Sequence, residues 1–226
     1  MSERDGWVVC FDLGGVVVRI ARDWAEGCAA AGLEVREPER FHEAAIKANR
    51  RDLADRYQRG LISCEAFFAG VASNSAGLYE AAEVERVHRS WILGEYPGVA
   101  HLVSRLNDSG VFTACLSNTN ASHWRESLVG SGPDATPSDA IAALRLKMAS
   151  HELGEVKPGE AIYEKAEALI GDASGVREAG RIVFFDDLAA NVEAARARGW
   201  NAHRVDHTGD TAAEMAAVLR NLGLGV

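Results

Sequence analysis

The stretch "WVVCFDLGGVVV", residues 7–18, decides the fold that we expect for this chain of 226 residues. Its strand-forming residues end at Asp12, and the chain then passes through Gly14 and Gly15 before it turns apolar again. A short apolar run that ends in this way is typical of a buried parallel strand. An acid at such a place can simply cap a turn, but paired glycines free backbone amides to approach a ligand. We therefore favour a functional role for Asp12.

Four further apolar runs are short and bounded by turn or helix signals, as strands are. The predicted strands are 7–11, 111–116, 144–148, 181–185 and 202–205. Helical patterns lie between most of them, at 99–107, 121–129, 161–169, 189–198 and 212–222. Strands that alternate with helices predict an α/β fold with a Rossmann-like parallel sheet and helices on both of its faces.

Residues 22–93 interrupt this alternation, since they contain helical patterns and no convincing strand. Four helices are predicted there, at 23–33, 39–60, 63–73 and 80–93, with Ser63 as the N-cap of the third. We therefore expect an inserted all-helical cap domain at 21–94 and a core domain formed by 1–20 and 95–226. The segments 130–140 and 171–180 are rich in Gly, Pro, Ser and Asp and are predicted to be surface loops.

Charge and composition restrict the function further. A net charge of −9 argues against nucleic acid and anionic membranes as general partners, because those surfaces bind basic faces. The cysteines Cys10, Cys28, Cys64 and Cys115 form no CxxC pair, and we interpret them as reduced residues. The N-terminus lacks the apolar region of a signal peptide, and no apolar run approaches the ~20 residues that span a bilayer. We expect a cytoplasmic protein, either a monomer or a homodimer.

Three common sequence motifs are absent. The chain contains no GxGxxG, no GxxxxGK[ST] and no GxSxG. Their absence argues against a dinucleotide-dependent oxidoreductase, a P-loop kinase and an α/β-hydrolase.

Polar residues follow three of the predicted strands at the point where each strand ends. Asp12 ends the first strand, Ser117 and Asn118 follow the second, and Asp186 and Asp187 end the fourth. Ligands of parallel sheets bind beyond the carboxyl ends of the strands, so these side chains should converge on one crevice. One acid of the adjacent pair is also expected to cap the next helix. Three carboxylates so placed repel one another unless a cation lies among them, and all-oxygen ligands suit Mg²⁺.

Lys157 is the candidate for balancing this negative charge. It precedes a proline that fits the first position of a helix. A lysine taken alone is usually solvated, but this one lies at a connection where the strand-end acids gather. Ser117 and Asn118 either satisfy a turn or donate hydrogen bonds to a phosphoryl oxygen. The seven histidines show no metal-ligand spacing, and we interpret most of them as surface or helix-end residues.

Four segments together resemble the motifs of the haloacid dehalogenase (HAD) superfamily in their order and rough spacing. They are "FDLGGVVV", "ACLSNTN", "EVKPGEAIY" and "VFFDDLAANVEAARARG". The predicted helical insert lies where that superfamily has its type 1 cap. The sequences of the motifs "FDLG", "LSNTN" and "FFDD" are most similar to those of bacterial sugar phosphatases of the alpha-glucose-1-phosphate phosphatase kind. The resemblance covers nearly the whole chain and implies a Mg²⁺-dependent phosphatase that acts on a small phosphorylated metabolite, such as a sugar phosphate.

The resemblance also implies catalytic roles for the residues that match the motifs. Asp12 would be the nucleophile and would form an aspartyl-phosphate that water later hydrolyses. Ser117, Lys157 and the amide of Asn118 would hold the phosphoryl oxygens, and Leu13 would adjoin the substrate.

A metal site is implied in the same way. Its ligands would be Asp12, the Gly14 carbonyl and Asp187, with Asp186 as a further or more distant ligand. Gly14 would also adjoin the substrate. Asn191 would either brace the metal ligands or lie on the surface of its helix.

Gly14 departs from the pattern of the superfamily. Most of its phosphatases carry a second aspartate there, which is their general acid and base, and the loss of such a group typically removes roughly 10²- to 10⁴-fold in rate. We rank first a phosphatase whose leaving group needs little protonation, or receives a proton from the cap or from the substrate itself. A dehalogenase or a phosphonate-cleaving enzyme ranks second, although Asp186 and Asp187 argue against metal-free dehalogenation. A binding module without turnover ranks third.

The predicted cap contains the remaining candidates. Lys47 is its only lysine and would be the Schiff-base residue of a phosphonate-cleaving enzyme. Arg50, Arg51, Arg56 and Arg59 are candidates for binding an anionic substrate. Because this stretch is rich in charges of both signs, we interpret most of these residues as a solvated helix face.

Overall fold

The computed structural model describes residues 6–128 and 138–224. The strands within these ranges are β1 (Val8–Phe11), β2 (Val18–Ile20), β3 (Ile92–Glu95), β4 (Phe112–Ser117), β5 (Leu146–Ala149), β6 (Ile182–Asp186) and β7 (Asn201–Arg204). Five of them form one parallel sheet in the order β5-β4-β1-β6-β7, and β2 pairs with β3 in a separate antiparallel ribbon. The first strand of the chain therefore lies at the centre of the sheet, with its carboxyl end between those of β4 and β6.

Helices fill most of the remaining described residues. They are α1 (Trp24–Ala30), α2 (Pro38–Phe41), α3 (Ala44–Gln58), α4 (Cys64–Ser73), α5 (Ala81–Arg89), α6 (Val99–Asp108), α7 (Ala121–His123), α8 (Asp139–Ala143), α9 (Ser150–Leu153), α10 (Glu160–Ser174), α11 (Ala189–Ala197) and α12 (Thr211–Asn221). A π-helical turn, Trp124–Leu128, extends α7, and a 3₁₀ turn, Ala179–Arg181, precedes β6. No helix in the described part of the chain is both long and apolar enough to cross a lipid bilayer.

Two apolar clusters cover the two faces of the sheet. Successive strand residues point to opposite faces, so Phe11 and Phe185 belong to one cluster while Cys10 and Phe184 belong to the other. Helices α6, α8 and α12 complete the first cluster, and α10 and α11 complete the second. The predicted α/β fold, a Rossmann-like parallel sheet with helices on both faces, is therefore confirmed.

A third apolar cluster holds α1–α5 together, and we call these five helices the helical insert. Aromatic rings dominate it: the ring centroid of Trp24 lies 4.8 Å from that of Phe41 and 5.2 Å from that of Tyr79. Tyr57 stacks on Phe67 at 4.5 Å. The insert therefore has an apolar core of its own, while the domain division at residues 20/21 and 94/95 stays a prediction.

The structure corrects several predicted elements. Strands β2 and β3 were not expected: they are three and four residues long and pair only with each other, so no long apolar run marks them. The predicted helix 80–93 ends at Arg89, and its last residues enter β3. The predicted helix 39–60 is two helices, because the first helix ends at Phe41 and the second begins at Ala44.

The predicted loops are also partly helical. Ser138 accepts a hydrogen bond from the backbone of Ile141 and so caps α8, whereas residues 130–137 of that loop and position 129 of the preceding predicted helix lie outside the described residues. Helix α10 continues to Ser174, into the second predicted loop. It begins at Glu160, with Gly159 as its N-cap, so Pro158 precedes the helix instead of opening it. The N-cap at Ser63 is confirmed, since its hydroxyl accepts from the backbone of Ala66 at 3.2 Å.

Candidate functional site

The strand-end acids converge because of the register of the sheet. Phe11 of β1 lies beside Phe185 of β6, and the backbone N–H of Asp12 donates to the carbonyl of Phe185 at 2.8 Å. Asp12 therefore leaves β1 next to Asp186, the last residue of β6, and Asp187 follows. One oxygen from each of the three carboxylates lies within 4.8 Å of the others, and all three residues are buried.

Lys157 lies between two of these acids. Its Nζ is 2.9 Å from Oδ1 of Asp12 and 2.8 Å from Oδ2 of Asp186, and its side chain is fully buried. Burial alone would lower the pKa of Lys157, but the two carboxylates outweigh that effect and raise it. The ammonium group is therefore charged at every physiological pH.

Asn118 fixes the position of Lys157 through two backbone hydrogen bonds. Its Oδ1 accepts from the N–H of Lys157 at 2.8 Å, and its Nδ2 donates to the carbonyl of Lys157 at 2.8 Å. Ser117, the last residue of β4, is also buried, and its hydroxyl has no hydrogen-bond partner among the described residues. A hydroxyl donor thus lies at the end of β4, next to Asn118 in the chain.

Asp186 is saturated by hydrogen bonds from the chain itself. Besides Lys157, it accepts from the backbone N–H of Leu188 at 2.9 Å and from Nδ2 of Asn191, which is 3.0 Å from each of its two oxygens. Asn191 is buried, and its carbonyl accepts from the hydroxyl of Tyr163 at 2.9 Å. The structure therefore places Asn191 against Asp186 and not on the surface of α11.

Asp187 contacts a residue that sequence analysis missed. Nη1 of Arg22 lies 2.7 Å from Oδ2 of Asp187, and the side chain of Arg22 is 30% exposed. Nδ1 of His207 approaches the same oxygen at 3.9 Å. Arg22 belongs to the segment that leads from β2 into α1, and no feature of its sequence neighbourhood connects it with an acid 165 residues away.

The charge balance of the site leaves Asp12 strongly perturbed. Burial and the carboxylates of Asp186 and Asp187 raise the pKa of Asp12 and Lys157 lowers it, and the net effect is a pKa of about 7. A divalent cation among the three acids would remove this repulsion. The donor set is oxygen only, which fits Mg²⁺.

The glycine turn after β1 keeps the chain close to these acids. The carbonyl of Leu13 accepts from the backbone of Val17 and Val18, while the side chain of Leu13 lies in the apolar core. Gly15 has a φ of +87°, and a Cβ there would contact Arg22 and lie 2.6 Å from Oδ2 of Asp187. A Cβ at Gly14 would instead meet the side chain of Ile20, with Cδ1 at 3.0 Å.

A cavity of about 600 Å³ opens between the helical insert and the ends of the strands, and we call it the insert cavity. This volume is in the range of small-molecule sites. Its lining includes Arg22, Trp24, Lys47, Arg50 and Arg51 from the insert side and Asn118, Asn120 and His123 from the sheet side. Of the other candidate arginines, Arg56 pairs with Asp52 and Arg59 pairs with Asp55 and Glu155.

Two of the seven histidines, most of which we interpret from sequence as surface or helix-end residues, form a stacked pair in this lining. The rings of His88 on α5 and His123 on α7 lie 3.9 Å apart and are nearly parallel. Nε2 of His123 donates to the carbonyl of His88 at 2.8 Å, and Nδ1 accepts from Asn120 at 3.2 Å. Burial lowers the pKa of His123 to about 4 and that of His88 well below its usual value. The pair therefore connects the helical insert to the core as two neutral rings.

Comparisons with known proteins identify the family and the fold. The family model of haloacid dehalogenase-like hydrolases matches residues 8–199. No curated protein matches the chain in sequence. Among solved structures, a HAD family enzyme from Bacteroides thetaiotaomicron is 20% identical, with a TM-score of 0.70, and the match covers 90% of this chain and 95% of that one. The same enzyme has also been solved in complex with magnesium and inorganic phosphate.

Two further solved structures extend the comparison. A predicted HAD-like family hydrolase from Porphyromonas gingivalis is 22% identical with a TM-score of 0.70, and the match covers 96% of this chain and 98% of that one. L-2-haloacid dehalogenase from Xanthobacter autotrophicus is 16% identical with a TM-score of 0.56, over 95% of this chain and 82% of that one. At these identities the structures establish a shared fold.

The two glycines of the turn should tolerate a methyl group differently. Gly15→Ala places a side chain in left-handed backbone and against Asp187, so we expect the free energy of unfolding to fall by roughly 1–3 kcal/mol. Gly14→Ala has no such backbone strain and meets only the flexible end of Ile20, so its loss should be under about 1 kcal/mol. Urea unfolding of both variants measures the difference, and equal losses would contradict this account of the turn.

The neutral His123 should make the stability of the protein fall in mild acid. Between its unfolded pKa of 6.5 and its folded pKa of about 4, the unfolded chain binds one proton more, so stability falls as the pH is lowered. His123→Gln removes this dependence, and its free energy of unfolding should fall by about 2 kcal/mol less than that of the wild type between pH 7 and pH 5. Urea titrations at the two pH values test this. The exposed His101→Gln is the control, and parallel pH dependence of all three proteins would refute the assignment.

Proposed function

Because the chain belongs to the haloacid dehalogenase-like hydrolases, we propose that it is a phosphatase that hydrolyses a small phosphate monoester, such as a sugar phosphate, with Mg²⁺ as its cofactor. Membership of the superfamily confirms what the four motifs indicated, whereas the closer resemblance to sugar phosphatases stays a prediction. The observation that carries the proposal is the convergence of three buried carboxylates and a buried lysine at the ends of neighbouring strands. A metal ion and a phosphoryl group need this combination of charges.

The contacts divide the three acids into two roles. Asp12, Asp187 and the carbonyl of Gly14 are the residues that would hold Mg²⁺. Asp186 would act mainly by orienting Lys157, because its oxygens already accept from Lys157, Leu188 and Asn191. When bound, the cation would supply electrostatic stabilisation of the phosphoryl oxygens.

Asp12 would be the nucleophile. A carboxylate oxygen attacks phosphorus, the bond from phosphorus to the ester oxygen breaks, and an aspartyl-phosphate forms. Water then attacks phosphorus, which returns the free carboxylate and releases inorganic phosphate. Lys157 holds the carboxylate of Asp12 in position, and together with the hydroxyl of Ser117 and the amide of Asn118 it would stabilise the phosphoryl oxygens as charge moves.

Gly14 would donate no proton to the leaving group when the ester bond breaks. Gly14 has no side chain, and the space that a Cβ would enter there is bounded by the apolar side chain of Ile20. Arg22 is the charged group on the other side of the turn, where it contacts Asp187. A site of this kind favours esters whose leaving group needs little protonation, or receives its proton from the cap or from the substrate itself.

Replacing the nucleophile should abolish turnover and leave the fold intact. In Mg²⁺, the purified protein should hydrolyse an activated aryl phosphate, and Asp12→Asn should lower kcat by at least about 10³-fold. Addition of EDTA should have a similar effect on the wild type. Asp172→Asn is the matched control, because Asp172 is an exposed acid that pairs with the exposed Arg177, and it should keep full activity. Release of halide from a 2-haloacid without metal, in place of phosphate-ester hydrolysis, would contradict the proposal.

The lack of an aspartate at position 14 should make the rate depend strongly on the pKa of the leaving group. For a series of aryl phosphates, log kcat/KM of the wild type should fall steeply as the pKa of the phenol rises. The double variant Gly14→Asp/Ile20→Ala supplies an acid and the space for it, so its slope should be shallower, and it should gain at most roughly 10²-fold on the poorest leaving groups. Ile20→Ala alone is the control. A shallow slope in the wild type would show that another group donates the proton.

A further inference from the structure

The lining of the insert cavity has the opposite charge to the rest of the protein. Arg22, Lys47, Arg50 and Arg51 contribute four cations, and Asp23 is the one acid in this lining. The chain as a whole carries a net charge of −9. Cations collected on one concave surface of an acidic protein attract anions to that surface.

Three of the four cavity cations, Lys47, Arg50 and Arg51, differ from their neighbours on α3 in lacking acid partners, whereas Arg22 pairs with Asp187. On α3, Arg56 and Arg59 pair with acids on the same helix, at 3.9 and 3.0 Å. Among the described residues, no carboxylate lies within ion-pair distance of Lys47, Arg50 or Arg51, although they belong to the same helix. The unpaired charges of α3 thus lie where the helix borders the cavity.

Arg50 is the most constrained of these cations. Its guanidinium lies 4.0 Å from the ring centroid of Phe41 and 5.8 Å from that of Trp24, and its Nε has no hydrogen-bond partner among the described residues. Nε1 of Trp24 also lacks a partner, although the residue is nine-tenths buried. A buried donor left without an acceptor costs about 1–3 kcal/mol, so Arg50 is held beside the cavity with neither an acid nor an acceptor at Nε to balance it.

We propose that the insert cavity binds a second anionic group of the substrate, a carboxylate or a phosphate, on the part of the molecule that is released. The inference rests on the proposed phosphatase activity and names its substrate class: small organic phosphates with an additional negative charge. Arg50, Arg51 and Lys47 bind the additional charge.

The cavity is placed to hold such a group during the reaction. Asn118 lines it and also holds the backbone of Lys157, and Arg22 lines it and also contacts Asp187. The cavity therefore adjoins the proposed phosphoryl site. Phe67, Val71 and Trp91 supply apolar lining for a carbon skeleton between the two anionic groups.

Two matched substrates test the additional charge. We expect kcat/KM for 4-carboxyphenyl phosphate to exceed that for 4-carbamoylphenyl phosphate by at least about tenfold, mainly through a lower KM, because the two differ in charge and hardly in size. The bisphosphate of hydroquinone provides the arm in which a phosphate replaces the carboxylate. Equal kcat/KM values for the charged and uncharged esters would overturn the proposal.

Variants assign the preference to particular residues. The exposed pair Lys47→Gln/Arg51→Gln and the single variant Arg50→Met should each reduce the preference toward unity, and Arg56→Gln should retain it, since Arg56 lies on the same helix but outside the cavity lining. Arg50→Met preserves apolar contact with Phe41, and thermal unfolding checks that its fold is kept. Should Arg50→Met unfold, the exposed double variant still decides, and a preference that survives in it refutes the assignment.

A binding experiment separates this inference from the phosphatase activity. Calorimetry in Mg²⁺ compares 4-carboxybenzylphosphonate with 4-carbamoylbenzylphosphonate, neither of which can be hydrolysed as an ester. Tighter binding of the carboxylate by the wild type, and not by Lys47→Gln/Arg51→Gln, supports the anion site even if no phosphate ester is turned over. Turnover of esters without any preference in binding would instead leave the phosphatase standing and refute the anion site.

Discussion

Lys157 is fully buried between two carboxylates, Asp12 and Asp186, and the rest of the site depends on this arrangement. A buried charge is stable only when it is paired, so the ammonium group fixes both acids at the ends of neighbouring strands. The register of β1 against β6 brings the acids together, and the side chain of Asn118 ties the backbone of Lys157 to the end of β4. Polar contacts thus join three strands at their carboxyl ends.

One lysine does not neutralise three carboxylates, and an arginine on the insert side offsets one of the two negative charges that remain. Arg22 contacts Asp187 from the segment that leads into α1. A cation held by Asp187 would compete with the guanidinium of Arg22 for the same carboxylate. Arg22 also lines the insert cavity, so its contact with Asp187 links the acids to that cavity.

The sequence predicted the strands, the helices and the strand-end residues, because the local pattern of apolar and polar residues determines them. The short apolar runs of the strands, the helices between them and the polar residues at three strand ends followed from local pattern, and the convergence of Asp12 with Asp186 followed from parallel topology. Contacts across the insert could not be predicted in this way. Arg22 meets an acid 165 residues away, and His88 meets His123 only because α5 packs on α7. Such pairs depend on how the helical insert packs against the sheet, and the local spacing of residues in the sequence does not predict that packing.

Gly14 and the cations of the insert cavity both bear on the negative charge that would develop on the leaving group. An ester oxygen that receives no proton leaves with a full negative charge, and that charge must be stabilised by fixed groups if the bond is to break at a useful rate. Because Ile20 borders the position beside Gly14, the stabilising charges have to come from elsewhere. Arg22 and Arg50 both line a cavity that adjoins the acids, so cationic residues would lie near the leaving group if it occupies that cavity. Electrostatic stabilisation from the insert would therefore take the place of proton donation from the strand-end turn.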